Sequence, residues 1–511
     1  MSIEHVDVLI VGAGLSGIGA GCHLQAKCPQ KSYAILEARE SIGGTWDLFK
    51  YPGVRSDSDM YTLGYSFRPW EQAKSIADGP SILEYVRETA SDHGVERRVR
   101  FGHRVARADW SSADARWTVQ ATREGTDETI QLTCGFLFMC TGYYRYDEGY
   151  TPQFAGSESF AGKIVHPQHW GADVDPAGKR VVVIGSGATA ITLVPALAES
   201  AEHVTMLQRS PSYVVSVPAE DPIAKRIRRV LPPKAAYAVV RWKNVLVAML
   251  VYQVSRRRPR LVKRLVRRAV ERQLPPDYDI DAHFSPRYNP WDQRMCLVPD
   301  SDLFQALSSG KASVVTDHID TFTPSGLRLR SGAELPADLV VTATGLNLLA
   351  LGGTQIAVDG RDVDIADTMS YEGMMLGGVP NLAMSFGYTN ASWTLKCDLT
   401  CGYVCRLLNY MDALGYTRCT PVNDDPSLTA EPFSDFSSGY VQRSIHLFPK
   451  QGSRAPWRVH QNYARDMLSL RRAELDDGEL RFARAHAPAD DMAAPLVAAA
   501  ATATAGATAG A

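Results

Sequence analysis

"VLIVGAGLSG" runs from Val8 to Gly17, and "VVVIGSGATA" from Val181 to Ala190 repeats its design. Each is a short aliphatic run, a glycine-rich turn and the start of a helical pattern. In the first, Gly12 permits a tight turn, Gly14 lets a pyrophosphate reach the backbone, and Gly17 lets helix and strand pack closely. Gly185, Gly187 and Ala190 hold the same places in the second. An anion would sit on the free N–H groups of the helix that follows. The two runs differ in how the next strand ends. "SYAILEA" closes with Glu37, whose carboxylate suits ribose hydroxyls and repels a 2'-phosphate, so this cradle favours FAD or NAD. "HVTMLQRS" closes with Arg209 and Ser210, which can hold a 2'-phosphate by charge-assisted hydrogen bonds, so this one favours NADPH.

Working outward, the pattern predicts an α/β protein with two Rossmann-like dinucleotide-binding domains, FAD and NADP, the second inserted in the first. The FAD unit is expected over 1–150 and returns over 336–486. The NADP unit is expected over 151–335. "RWTVQATREGTDETIQLTCGFLFMCTG" alternates, turns, alternates again and becomes continuously apolar, as a buried parallel strand does. "ADLVVTATGLN" (Ala337–Asn347) reads as another buried strand with a glycine turn. The joint "SFAGKIVHPQHWGAD" (Ser159–Asp173) carries Phe160, Gly162, His166 and Trp170, which a plain linker has no need of.

A chain of 511 residues is too long for one core, and 45% hydrophobic with 22% charged residues is ordinary globular usage. A net charge of -2 recruits no nucleic acid. Nine cysteines make no disulfide framework, and Cys397, Cys401 and Cys405 read as core thiols on one helix face, with no metal site. The chain enters its first strand without a leader-like segment, so a cytoplasmic location is expected. A helical insertion is expected over 215–290. Its stretch Ile223–Val270 holds fifteen Lys and Arg and no acid. Two readings stand open for it: a solvated basic cap, or a surface that associates weakly with membrane. Its apolar run "NVLVAMLVYQV" is shorter than the ~20 residues a bilayer span takes. The segment 487–511 is low-complexity and is expected to be disordered.

Four segments together resemble type I Baeyer–Villiger monooxygenases, the class B flavoprotein monooxygenases. They are "GGTWDLFKYPGVRSDSDMYTLGYSF" (Gly43–Phe67), the joint, "NPWDQR" (Asn289–Arg294) and "ATG" (Ala343–Gly345). "KYPGVRSDSDMYTLG" and "GYTNASWT" (Gly387–Thr394) resemble the ethionamide-activating branch. Two positions depart from the family pattern: Gly171 after the joint tryptophan, and Gln293 where a lysine is usual. The resemblance implies that reduced flavin and oxygen form a C4a-peroxide. This inserts one oxygen atom from O2 beside a ketone carbonyl and also oxidises sulfides or thioamides. It implies Arg294 as the cation that stabilises the peroxide anion and Asp57 as its orienting partner. FAD contacts would extend to Ser16, Thr45, Trp46, Asp47, Leu48 and Val105. NADP contacts would include Arg55, Ser56, Asp57, Gly185, Ser186, Gly187, Ala188, Thr189, Ala190, Ile191, Arg209 and Ser210. The joint would act as a hinge, with His166 either coupling its motion to the site or satisfying a buried carbonyl.

Other outcomes stay open. A disulfide reductase needs a Cys pair beside the flavin, and Cys22 and Cys28 fall along the first helix instead. An N- or S-oxygenating flavin enzyme is the nearest alternative, and a non-oxygenating membrane-surface flavoprotein the next.

Overall fold

The computed structural model describes residues 3–484 except 127 and 473; the low-complexity segment 487–511 lies outside the described residues. Two sheets organise the chain. The first has nine strands. Its parallel core is Glu4–Val11, flanked by Tyr33–Leu36 and Thr129–Met139. Such a strand is covered on both faces, which is why it reads as an unbroken aliphatic run. The hairpin Arg116–Arg123 and Thr129–Met139 pairs antiparallel, as its alternation predicts. Helices Leu15–Lys27 and Trp393–Leu414 lie over one face, and Cys397, Cys401 and Cys405 are buried there.

The second sheet is wholly parallel, in the order Ala312–Thr316, His203–Gln208, Arg180–Ile184, Leu339–Thr342, Lys163–Val165. The strand Leu339–Thr342 therefore belongs to this unit. The expected return to the first unit at 336 comes too early, and the chain leaves the second sheet after Thr342. An apolar run declares itself a buried strand without declaring which sheet it joins.

The chain crosses between the sheets twice, and the crossings pair. Tyr144–Gly149 and Leu346–Leu348 form an antiparallel ribbon. The joint clamps this ribbon. His166 donates from Nε2 to the Gly345 carbonyl at 3.0 Å and accepts the Gln168 N–H at Nδ1, 3.2 Å. That pair of bonds fixes a neutral imidazole, and burial pushes its pKa down in the same sense. Gln168, itself buried, donates from Nε2 to the carbonyls of Arg145 and Tyr146 at 3.0 and 2.8 Å. A Cβ on Gly149 would lie 2.0 Å from the His166 ring, so the ribbon must carry glycine there. Phe160 packs with Phe322 under the second sheet.

The insertion is helical: Pro222–Val230, Pro233–Arg257, Pro259–Glu271 and Ile280–Phe284. Its second helix is longer than the apolar run suggested. At 25 residues, with an 18-residue window of mean hydropathy 1.2, it is long and apolar enough to cross a membrane, by length and composition alone. Gln168→Ala would leave the Arg145 and Tyr146 carbonyls without that donor. We expect the variant to lose about 1–3 kcal/mol, visible as a lower melting temperature; an unchanged melting temperature would show that the clamp carries no stability.

Candidate functional site

Both glycine turns are built on one device. Gly12 has φ +103, and a Cβ there would sit 2.7 Å from the Cys140 carbonyl oxygen. Gly185 has φ +137, and its Cβ would sit 2.3 Å from that of Ala343. Only glycine accepts that backbone and that approach. Each carbonyl precedes a Thr-Gly pair, Thr141-Gly142 or Thr344-Gly345, at which the chain leaves its sheet. Gly17 is equally constrained, since its Cβ would lie 1.8 Å from the Gly12 carbonyl.

One cavity of about 1050 Å³ joins the two turns. At one end lie Glu37 and Val105. Glu37 is buried and accepts the backbone N–H groups of Ala13 and Arg39 at 2.6 and 2.9 Å. Burial raises its pKa, and those two donors offset part of the rise. At the other end lie Ser186, Gly187, Ala188, Thr189, Arg209 and Ser210. Arg209 is exposed, and no side chain pairs with it among the described residues. It is a free cation at the wall. The space also suits a dinucleotide at each helix N-terminus. A Cβ at Gly187 would meet nothing within 4 Å, and one at Gly14 would meet only Gly44, at 3.5 Å. Both N-termini open onto free volume, as a pyrophosphate requires.

Between the ends, Arg294 donates from Nη1 to Asp57 Oδ2 at 2.6 Å and from Nη2 to the Thr389 carbonyl at 3.3 Å. The Asp57 carboxylate holds the guanidinium pKa well above its ordinary value, against the pull of burial. Tyr143, Tyr144 and Tyr440 line the same stretch of wall. Burial raises all three phenol pKa values, so they stand as neutral, polarisable rings around a fixed positive charge. The Trp393 ring lies tilted against Tyr143, centroids 5.1 Å apart, and donates from Nε1 to Ser16 Oγ at 2.8 Å, tying the return segment to the first glycine turn.

Two glycine-rich cradles of dinucleotide-binding type open onto one cavity, whose wall also carries an ion-paired arginine. Residues 6–229 match the family described as flavin-binding monooxygenase-like. The chain is 58% identical over 486 residues to the FAD-containing monooxygenase EthA of Mycobacterium tuberculosis, spanning 95% of this chain and 99% of that one. It is 52% identical over 487 residues to the putative FAD-containing monooxygenase MymA of the same organism, spanning 94% and 98%. Its fold matches that of oxidized steroid monooxygenase bound to NADP, with TM-score 0.72 and 23% identity over 94% of this chain and 100% of that one. The chain belongs to the FAD-containing monooxygenases. It is an enzyme, and its cofactor is FAD. The sequence resemblance to flavoprotein monooxygenases agrees with these relatives.

The structure brings most of the expected site residues to the cavity wall: Gly12, Gly14, Ser16, Glu37, Thr45, Trp46, Arg55, Ser56, Asp57, Val105, Gly185 to Thr189, Arg209, Ser210 and Arg294. Five are off it. Gly17 serves the turn. Ala190 and Ile191 are core residues of the second unit. Leu48 does not reach the wall, and Asp47 turns away to bind Arg39 and Arg87. Arg55 reaches the wall and is ion-paired with Asp302.

The sequence reading missed the tyrosines of "CTGYYRY" (Cys140–Tyr146), whose crowding directly after a buried strand and a Thr-Gly turn was the available signal. It also missed a buried ion pair, Lys396 to Asp466 at 2.9 Å, that no local pattern announces. Asp466 also accepts from Tyr388 at 2.7 Å, and Tyr388 lines the cavity beside Thr389. The charges of this pair reach Glu372. Burial lifts its carboxyl pKa from 4.5 to about 7, with Asp466 pushing the same way and Lys396 opposing. A carboxyl raised in the folded state stabilises at low pH and loses that contribution as pH climbs from its unfolded to its folded pKa. Glu372→Gln should therefore melt progressively higher than the wild type as pH rises from about 4.5 to about 7, with no further divergence above. A difference independent of pH would exclude this titration.

Proposed function

We propose that the protein uses NADPH and O2 to insert one oxygen atom beside a ketone carbonyl, giving an ester or lactone, and that the same site oxidises sulfides or thioamides. The observation that carries this reading is the Arg294–Asp57 pair on the wall between the two cradles. FAD, when bound and reduced by NADPH, supplies the chemistry that activates oxygen. The chain's own residues do the rest. Gly12, Gly14, Ser16, Glu37, Thr45, Trp46 and Val105 would hold FAD, and the turn from Gly185 to Thr189 would seat the pyrophosphate of NADP. Arg209 and Ser210 would bind its 2'-phosphate. Arg294 would stabilise negative charge that develops at the reacting oxygen, an effect strongest where fixed charge meets a water-poor wall. Asp57 would orient that guanidinium and balance its charge. Tyr143, Tyr144 and Tyr440 would exclude water, which otherwise diverts reducing power to hydrogen peroxide. His166, neutral and fully engaged, would brace the crossing ribbon and transfer no proton.

On this reading the partners are O2, NADPH and a small ketone or sulfide. The enzyme works in the cytoplasm, where nine buried, unpaired cysteines are at home, and its basic helices draw it weakly toward anionic lipid.

Arg294→Ala should bind FAD and oxidise NADPH but make no ester, with hydrogen peroxide accounting for the NADPH consumed. Ester at the wild-type yield would remove Arg294 from the reaction. Arg209→Ala should raise KM for NADPH roughly ten- to hundred-fold, from a charge-assisted contact of about 1.5–3 kcal/mol, and leave KM for NADH unchanged. An equal effect on both cofactors would make Arg209 a structural residue.

A further inference from the structure

Among the described residues sixteen large hydrophobic side chains are exposed, and eleven of them fall between Ile223 and Leu265. They concentrate on the helix Pro233–Arg257. That helix buries Ala236, Tyr237, Val240, Arg241 and Val245 against the protein. It turns Val239, Trp242, Leu246, Val247, Leu250 and Val251 outward, with Leu246 57% and Leu250 63% exposed. A surface helix normally shows solvent its polar face. This one shows an apolar face, and cations surround it. Arg226, Arg229, Arg257, Arg258, Arg260 and Arg264 are exposed and unpaired among the described residues. No acid lies anywhere between Ile223 and Val270.

Charge and anchoring decide the occupant. A second copy meeting this face through a two-fold axis would set one cation-rich surface against another. The helix cannot span a bilayer while it holds its place in the fold. Arg241 is buried and donates to the carbonyls of Tyr61 and Gly64 at 2.8 and 2.7 Å. Asn244 binds Asp59 at 2.8 Å, and Lys243 pairs with Asp221. An apolar strip bordered by unpaired arginines fits a surface that offers hydrocarbon below and negative charge above.

We infer that the outward face of Pro233–Arg257 lies in the interface of an anionic bilayer, held flat by the flanking basic helices. The helix is also fastened to the loops that carry the site. Tyr252 meets the Trp291 ring at 5.6 Å, and Arg256 pairs with Asp292 at 2.7 Å, two positions before Arg294. Asn244 holds Asp59, two positions after Asp57. Docking therefore places this side of the site at the lipid surface. Resting on the monooxygenase reading, the structure assigns the enzyme apolar ketones or sulfides that partition into membrane.

The test uses FAD-loaded enzyme with vesicles of phosphatidylcholine alone or mixed with phosphatidylglycerol. Two variants are compared with the wild type: Leu246→Glu/Leu250→Glu, and Arg257→Gln/Arg258→Gln/Arg260→Gln. Arg256 is left intact because it pairs beside the site. The wild type should sediment with the anionic vesicles at low salt and not with the neutral ones. Each variant should weaken that binding by about tenfold or more, and both should keep flavin content and turnover of a short water-soluble ketone. Binding unaltered in the leucine variant would mean that no apolar insertion occurs, and overturns the inference. So would a wild type that stays in the supernatant, or a dimer by light scattering that the leucine variant dissolves. Failure to oxidise any ketone with vesicle binding intact would count against the chemistry and leave the docking surface standing.

Discussion

The ion pair between Arg294 and Asp57 gathers three passages of the chain at one point. Asp57 follows the first glycine turn, Arg294 follows the helical insertion in the second unit, and the Thr389 carbonyl that takes the other guanidinium bond belongs to the return passage. A half-buried guanidinium without a carboxylate beside it would be expensive. With Asp57 present it stays charged and aimed, and two N–H directions are already committed. The cavity wall on which this pair stands also takes in both cradles and Tyr143, Tyr144 and Tyr440.

That ribbon makes the arrangement one molecule rather than two adjacent domains. Each glycine cradle is backed by a carbonyl just before a Thr-Gly turn, and those two turns send the chain from sheet to sheet. His166 and Gln168 close hydrogen bonds onto both crossing strands. The joint between the units is thus a clamp that engages both nitrogens of His166 and the amide nitrogen of Gln168, while Gln168 Oε1 is buried without a partner among the described residues. Motion between the units would bend around it while the clamp itself stays closed.

How much of this was legible follows from the range of the forces involved. The cradles, their helices and the Glu37–Arg209 contrast are local, and spacing along the chain carried them. Arg294 and Asp57 came from a motif resemblance, because 237 positions separate them and no periodicity joins them. The sheet to which Leu339–Thr342 belongs was set by pairing with Arg180–Ile184, which its apolar run does not specify. Asp47 sits in the right motif but satisfies two arginines, and the Lys396–Asp466 pair joins segments that show nothing unusual alone. The insertion was legible as basic and helical. That its apolar residues face outward could be read only from three dimensions.

The account's central claim is that a fixed arginine in a water-poor wall directs activated oxygen to a carbonyl. The most direct measurement is mass spectrometry of the product formed from a ketone under isotopically heavy O2 in ordinary water, with NADPH consumption followed in parallel. The account predicts an ester or lactone carrying one heavy oxygen atom for each NADPH consumed. Unchanged ketone with the NADPH recovered as hydrogen peroxide, across linear, cyclic and aryl ketones, would contradict it.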